Sequence, residues 1–209
     1  MAIVIWWLLS QTINVRPWAE RGAIEDVRGH TVSWPALTIA LGVLLAVVTS
    51  LFALFISAYV MRMHVGDWSP LPEPRLLWLN TGVLIVTSGA IQWTRTAARG
   101  GRIDGVRVGL VVTGALTVAF LIGQLVVWRQ LNDLGYFAAT NPANAFFYLF
   151  TALHGLHLLG GLVAWVKTTA KVWRGVALPE VRLSVELCAV YWHYLLLVWL
   201  ILFGLLLAT

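Results

Sequence analysis

Four ionisable side chains lie inside the most apolar stretches of this sequence, where their types and spacing are suited to chemistry. His154 and His157 fall in FYLFTALHGLHLLGGL, and Glu186 and His193 fall in ELCAVYWHYLLLVWLILF. Two histidines three residues apart lie on one face of a helix, about a turn apart. Such a pair is consistent with a metal site, a haem site, or hydrogen bonds between neighbouring helices.

The composition places these residues in a membrane protein. The chain has 209 residues, of which 60% are hydrophobic and only 11% are charged. A soluble domain carries about 25% charged residues, so this chain has too few charges to cover a surface in water. In a membrane protein the distribution of the basic residues among the loops carries the information, so the net charge of +5 is not a sign of nucleic-acid binding. We expect no nucleic-acid partner. The single cysteine, Cys188, excludes an internal disulfide.

Five apolar runs are long enough to cross a bilayer, which takes about 20 helical residues. They cover roughly 35–61, 76–94, 106–128, 143–166 and 183–208. We predict an all-α integral membrane protein with five transmembrane helices over 34–209. Residues 1–33 are predicted to form a cytoplasmic or interfacial arm. Tryptophans near the predicted helix ends, which are Trp34, Trp78, Trp93 and Trp128, are expected to anchor the helices at the membrane interfaces.

The basic residues predict the orientation of these helices. Eleven of the fourteen Lys and Arg residues fall in the N-terminal segment and in the second and fourth loops, against three in the first and third loops. Cytoplasmic loops carry the excess of positive charge. The N-terminus is therefore predicted to be cytoplasmic and the C-terminus periplasmic. The basic residues Arg95, Arg99 and Lys171, near helix ends, are expected to bind lipid head groups.

The intramembrane polar residues allow three interpretations. By helical rise His157 and His193 lie at about the same depth, so they could meet across a helix pair. The favoured interpretation is structural, with His154, His157, Glu186 and His193 joining helices by hydrogen bonds and Arg182 pairing with Glu186 one turn away. The alternatives are a haem or copper site held by His157 and His193, and a proton relay through Glu186. Ser88 is expected to bond its own helix backbone.

Three segments resemble one known family. FFYLFTALHGLHLLGG (146–161) resembles the pattern F-x-x-T-G-x-H-G-x-H-x-x-x-G, and ELCAVYWHYLLLVWLILF (186–203) is similar to E-x-x-x-x-Y-W-H-F-x-x-x-V-W-L-x-L. LLWLNTGVLIVTSGAIQW (76–93) resembles P-L-L-N-T-x-x-L-x-x-S-G-x-x-x-x-W. These motifs, in this order, are those of subunit III of the haem–copper oxidases, which include the cytochrome c and quinol oxidases.

The resemblance implies a non-catalytic subunit of a bacterial respiratory oxidase in the cell inner membrane. Such a subunit holds no metal or other cofactor. Haem and copper lie in the partner subunits, and the catalytic subunit I reduces dioxygen and translocates protons. The implied partners are subunits I and II and bound phospholipids, and the implied role is stability and sustained turnover. The four polar residues named above match the structural polar positions of the family.

The sequence departs from that family at two carboxylates and in helix number. A glutamate of many relatives is replaced here by Leu51, and an aspartate after the YWH motif is replaced by Leu196. Longer relatives have seven helices, so counterparts of the first two are not expected here. The short form is also similar to a quinol oxidase subunit and to a nitric oxide reductase accessory protein. From a different class, a free-standing b-type cytochrome with His157 and His193 as haem ligands stays an alternative.

Overall fold

Five long α-helices account for almost all of the residues described by the structure, which is a computed structural model covering residues 36–66, 68–69, 75–176 and 178–208. The predicted arm, 1–33, lies outside these residues. The helices are α1 (Ala36–Arg62), α2 (Arg75–Arg99), α3 (Ile103–Asp133), α4 (Pro142–Trp173) and α5 (Leu178–Leu207). All five are long and apolar enough to span a membrane, which confirms the predicted fold class.

Four of the helices extend beyond the predicted apolar runs. α3 has 31 residues and α4 has 32, so each is about 47 Å long at 1.5 Å per residue. The hydrocarbon layer is about 30 Å thick, and the extra turns reach the head-group region. The predicted runs are shorter than the helices because apolar residues mark only the part of a helix that lies in the hydrocarbon layer. α4 begins where Asn141 caps it, since the Asn141 side chain accepts a hydrogen bond from the Ala143 N–H at 3.0 Å.

Tight turns end α2 and α4. Gly101 follows α2 with φ +69°, and Gly175 follows α4 with φ +71°, a left-handed conformation that glycine adopts without a steric penalty. Behind them the Arg102 N–H donates to the Ala97 carbonyl at 3.0 Å, and the Val176 N–H donates to the Lys171 carbonyl at 3.2 Å. These are hydrogen bonds of the Schellman type. They turn the chain sharply, so that α2 and α3 are antiparallel neighbours.

Helices α2 to α5 form a closed ring of neighbours within the compact unit 40–209. α2 packs on α3 and α5, and α4 packs on α3 and α5. The backbone of α1 lies further from its neighbours than the backbones of α2 to α5 do, and α1 contacts the ring through its side chains. The Tyr59 ring lies 5.4 Å from Phe146 and 5.7 Å from Phe150, and the Thr49 hydroxyl bonds the Tyr194 hydroxyl at 2.8 Å. The four-helix ring therefore contains the polar interior, and α1 flanks it.

The arrangement of the basic loops predicts the membrane orientation. Reporter fusions after Gly101 and after Thr209 should give a cytoplasmic signal at the first site and a periplasmic signal at the second, because an excess of Lys and Arg retains a loop in the cytoplasm. Paired alkaline phosphatase and green fluorescent protein fusions measure this. The same cellular side for both fusions would contradict the odd number of crossings, and an exchange of sides would contradict the orientation.

Candidate functional site

Indole N–H groups bridge the helices of the ring. On α5, Trp192 donates to the Thr117 hydroxyl of α3 at 3.1 Å, and Trp199 donates to the Thr81 hydroxyl of α2 at 3.0 Å. Both tryptophans are about 1% exposed. They are seven residues apart, so one face of α5 carries both. α5 is thereby hydrogen-bonded to two other helices at two depths.

The same contact joins α3 to α4. Trp128 donates to the Thr151 hydroxyl at 3.0 Å, and Trp165 donates to the Leu110 carbonyl at 3.0 Å. Trp78 and Trp93 are exposed, at 57% and 46%, as interfacial anchors would be, whereas Trp34 lies outside the described residues. The prediction missed the interhelical bond of Trp128, because a tryptophan near a helix end has the same sequence signature in either role.

The threonines that accept these bonds have both hydrogen-bonding functions satisfied. Thr81, Thr117 and Thr151 each donate to the carbonyl four residues earlier, at 2.8, 2.8 and 2.7 Å. Their lone pairs then remain for the indoles. Such internal partners are needed because the membrane interior supplies no water to bond the hydroxyl or indole protons. A valine in the same place would fill the space and leave the indole N–H without an acceptor.

Glycines allow the helices to approach where these contacts occur. A side chain at Gly114 would overlap the Trp165 ring, and one at Gly123 would overlap the Asn80 amide. A Cβ at Gly161 would lie 2.7 Å from the Tyr191 ring. Small residues let membrane helices pack closely. Gly109 of α3 is another such contact, since a Cβ placed there would overlap Thr94 of α2.

The predicted histidines have three different environments. His154 is fully buried, with its ring 5.9 Å from Phe120 and 5.1 Å from Trp199. Neither of its ring nitrogens has a hydrogen-bond partner among the described residues. The ring therefore packs as an aromatic group in this structure, and the predicted hydrogen bond of His154 is absent from the part of the chain that is described.

His157 and His193 do not bond to each other, although their similar depth would allow it. The His157 ring shares a hydrogen bond with the Leu153 carbonyl of its own helix at 2.7 Å and packs against Phe52 of α1. His193 instead bridges α5 to α2, with Nδ1 bonded to the Ser88 hydroxyl at 2.5 Å and Nε2 to the Gln92 side-chain oxygen at 3.2 Å. Helix rotation separates them, since equal depth does not fix the direction of a side chain.

Ser88 therefore has a different partner from the one predicted. Its hydroxyl bonds the His193 ring across the seam between α2 and α5, whereas Ser50 does bond its own helix, at the Ala46 carbonyl. Both ring nitrogens of His193 are occupied by these contacts. A bis-histidine haem needs a free nitrogen on each of two facing rings. His193 has none in this structure and does not face His157, so the two are poorly placed to be haem ligands. No group of three or more His, Cys, Asp or Glu suited to a metal is found in the described residues.

Glu186 lies in an ion-pair cluster at one end of the ring. It pairs with Arg182 at 3.4 Å, as predicted, and with Arg99 of α2 at 2.9 Å. Arg99 was predicted only as a lipid ligand, so the sequence did not identify this contact between α2 and α5. Nearby positions on α4 and α5 are also joined, since the Lys171 ammonium donates to the Ser184 hydroxyl at 3.2 Å. The Nε atom of Arg95 is buried and has no hydrogen-bond partner among the described residues.

Comparison of the sequence with known protein families shows to which family the chain belongs. The family model described as cytochrome c oxidase subunit III matches residues 30–207. The chain belongs to the cytochrome c oxidase subunit III family. The match covers all five helices, which confirms the resemblance seen in the three motifs.

Individual members of the subunit III family are similar over most of the chain. A probable cytochrome c oxidase subunit 3 of Mycobacterium tuberculosis is 32% identical over 156 residues, covering 73% of this chain and 76% of the relative. One of Nocardia farcinica is 27% identical over 88% of this chain and 93% of its own length. The cytochrome c oxidase subunit 3 of Thermostichus vulcanus is 31% identical over 73% of this chain and 77% of its own length.

Two histidines of this subunit III chain provide a matched test of the polar interior. His193→Leu should destabilise the protein by about 1–2 kcal/mol, because it leaves Ser88 and Gln92 unpaired. His154→Leu should change the stability by less than about 0.5 kcal/mol, since it removes a side chain without a hydrogen bond. Unfolding by denaturing detergent, followed by tryptophan fluorescence, measures both. Equal losses in the two variants would contradict these environments.

Proposed function

We propose that this chain is the non-catalytic subunit III of a bacterial respiratory haem–copper oxidase. The observation that carries the proposal is the family match over residues 30–207, together with relatives that are named as subunit 3 of cytochrome c oxidase. In this role the chain binds the catalytic subunit I and subunit II in the cell inner membrane. Dioxygen reduction and proton translocation take place in subunit I, and this chain supports stability and sustained turnover.

The packing of the described polar side chains supports a structural role. The indoles of Trp128, Trp192 and Trp199 each bond a threonine of another helix. His193 bonds α2, and Glu186 is held by two arginines. Groups that are committed to contacts within the ring are poorly suited to bind a redox centre or to relay protons. We therefore assign structural roles to His193 and Glu186 through these bonds, and to His154 and His157 through the packing of their rings on Trp199 and Phe52.

Phospholipid binding belongs to the same proposal. Arg95, Arg99, Lys171 and Arg182 lie within the end segments of their helices, and the Arg99 and Arg182 side chains are 47% and 53% exposed despite their contact with Glu186. Basic residues at the edge of a membrane attract anionic lipid head groups, at about 1 kcal/mol for each charge. The exposed Arg99 and the half-buried Lys171 carry charges suited to a lipid phosphate, and the half-buried Arg95 adds a third.

The test is purification of the intact complex through a tag on this chain. Extraction in mild detergent should yield the chain together with larger subunits that carry haem and copper and consume oxygen. Deletion of the chain should leave the haem content per catalytic subunit unchanged, because no haem is held by the tagged subunit. The chain released from the complex should be colourless. A chain that purifies alone and shows the Soret band of bound haem would overturn the proposal in favour of a membrane cytochrome.

A further inference from the structure

The first helix of each hairpin in the ring ends in the same tight turn. We call α2 with α3 the first hairpin and α4 with α5 the second hairpin. The turn glycines, Gly101 and Gly175, have φ +69° and +71°, and each donates its N–H to the carbonyl three residues earlier at 3.3 Å. In both turns the residue before the glycine bonds the carbonyl four residues earlier at 3.0 Å, and the residue after it bonds the carbonyl five residues earlier at 3.0 and 3.2 Å. The two hairpins therefore share one turn geometry.

The two hairpins also exchange the same hydrogen bond. Trp128 of the first hairpin donates to Thr151 of the second at 3.0 Å, and Trp199 of the second donates to Thr81 of the first at 3.0 Å. Both tryptophans lie on the second helix of their hairpin, and both threonines lie on the first helix. When a surface binds a second copy of itself about a two-fold axis, each copy supplies the donor of one contact and the acceptor of the other. These two bonds have that reciprocal pattern within one chain.

An alignment of the hairpins on these four residues brings similar sequences together. LLWLNT (76–81) of α2 aligns with FFYLFT (146–151) of α4, and FLIGQLVVWRQL (120–131) of α3 aligns with YWHYLLLVWLIL (191–202) of α5. Besides the tryptophans, the α3 and α5 segments are identical at three aligned pairs, which are Leu125 with Leu196, Val127 with Val198 and Leu131 with Leu202. Self-similarity at a fixed shift along the chain is the sequence signature of a repeated unit.

Burial follows the same alignment. Buried positions of α2 and α4 coincide, as at Leu77 with Phe147, Leu84 with His154 and Ile91 with Gly161. Buried positions of α3 and α5 also coincide, as at Leu110 with Val181, Phe120 with Tyr191 and Leu131 with Leu202. Helical periodicity gives two helices the same spacing of buried residues, but it does not give them the same phase relative to Thr81 and Thr151. Both hairpins therefore turn equivalent faces to the interior, and His154 holds the position of a buried leucine.

The hairpins differ in the polar bridge between α2 and α5. Ser88 of α2 and His193 of α5 bond each other, and the alignment places them opposite Leu158 of α4 and Ile122 of α3. The contact between α3 and α4 is the counterpart of the contact between α2 and α5. One of these two contacts therefore carries a polar pair where the other carries two apolar residues.

We propose that the first and second hairpins are two copies of one recognition unit, and that the inner surface of each is built to bind a hairpin of the same kind. A half-turn that exchanges α2 with α4 and α3 with α5 exchanges the Trp128 and Trp199 bonds, as in a dimer with two-fold symmetry. One self-complementary surface, used twice, then closes the ring. The unit of assembly is the hairpin, so the order of the two hairpins along the chain is not needed for the fold.

Two rearranged full-length chains test whether the hairpin is the unit. The hairpin-exchanged chain runs 1–69, 141–209, 70–140, and its first new junction joins neighbours, since Asn141 donates to the Ser69 carbonyl at 2.5 Å. The hairpin-splitting chain runs 102–177, 1–101, 178–209. Both keep every residue and the membrane direction of every helix, and both carry a Gly/Ser linker of about ten residues at each of two junctions. Only the second chain separates α2 from α3 and α4 from α5.

The yield of monodisperse chain in mild detergent measures the outcome, with tryptophan fluorescence to verify that the indoles are buried. The hairpin-exchanged chain should be recovered within about two-fold of the native order, because surface loops tolerate such rearrangement when the units they join stay whole. The hairpin-splitting chain should be recovered about ten-fold less. Equal recovery of the two rearranged chains, or loss of both, would overturn the inference.

A pair of counterpart substitutions tests the alignment in the native order. Ser88→Leu and His193→Ile each leave one polar partner behind, so each alone should lower the folded-to-unfolded ratio by about ten-fold. The two together copy the aligned residues Leu158 and Ile122, and should return the ratio to within about three-fold of the native chain. Unfolding in denaturing detergent measures the ratio. A double variant that is no more stable than either single variant would contradict the equivalence of the two hairpins.

Discussion

The hydrogen bond from a buried indole to a threonine hydroxyl is the contact on which this structure depends. Lipid tails are as apolar as leucine, so hydrophobicity gives membrane helices no preference for one another. Specific packing then requires directional contacts or close fit. Trp192 and Trp199 on α5 supply the first, through Thr117 of α3 and Thr81 of α2. The glycines opposite Trp165 and Asn80 supply the second.

This constraint connects the fold to the role in an oxidase complex. Many polar groups of the ring are paired within the chain, as at Trp128 with Thr151 in its interior and at Glu186 with Arg99 at its end, whereas the ring nitrogens of His154 have no partner among the described residues. The seam between α2 and α5 carries a further chain of bonds, which runs from Ser88 through His193 to Gln92. A subunit of this kind contributes by packing, with its internal bonds fixing its shape.

The sequence predicted the five helices well, because a membrane span is a property of local apolarity and length. It predicted Glu186 with Arg182, since the two are four residues apart on one helix. It did not predict Glu186 with Arg99 or Ser88 with His193, which are 87 and 105 residues apart. Apolar periodicity is weak when lipid and protein partners are both apolar, so the rotation of each helix is not readable from the pattern. The roles of Trp192 and Trp199 were missed for the same reason.

A double-mutant cycle on Trp199 and Thr81 tests most directly whether indole–threonine bonds hold the ring. The variants are Trp199→Phe, Thr81→Val and the two combined, and the measured quantity is the free energy of unfolding in detergent micelles. The bond buried at 3.0 Å predicts a coupling energy of about 0.6–2 kcal/mol between the two positions. A coupling energy close to zero, with the two single losses adding in full, would contradict the account.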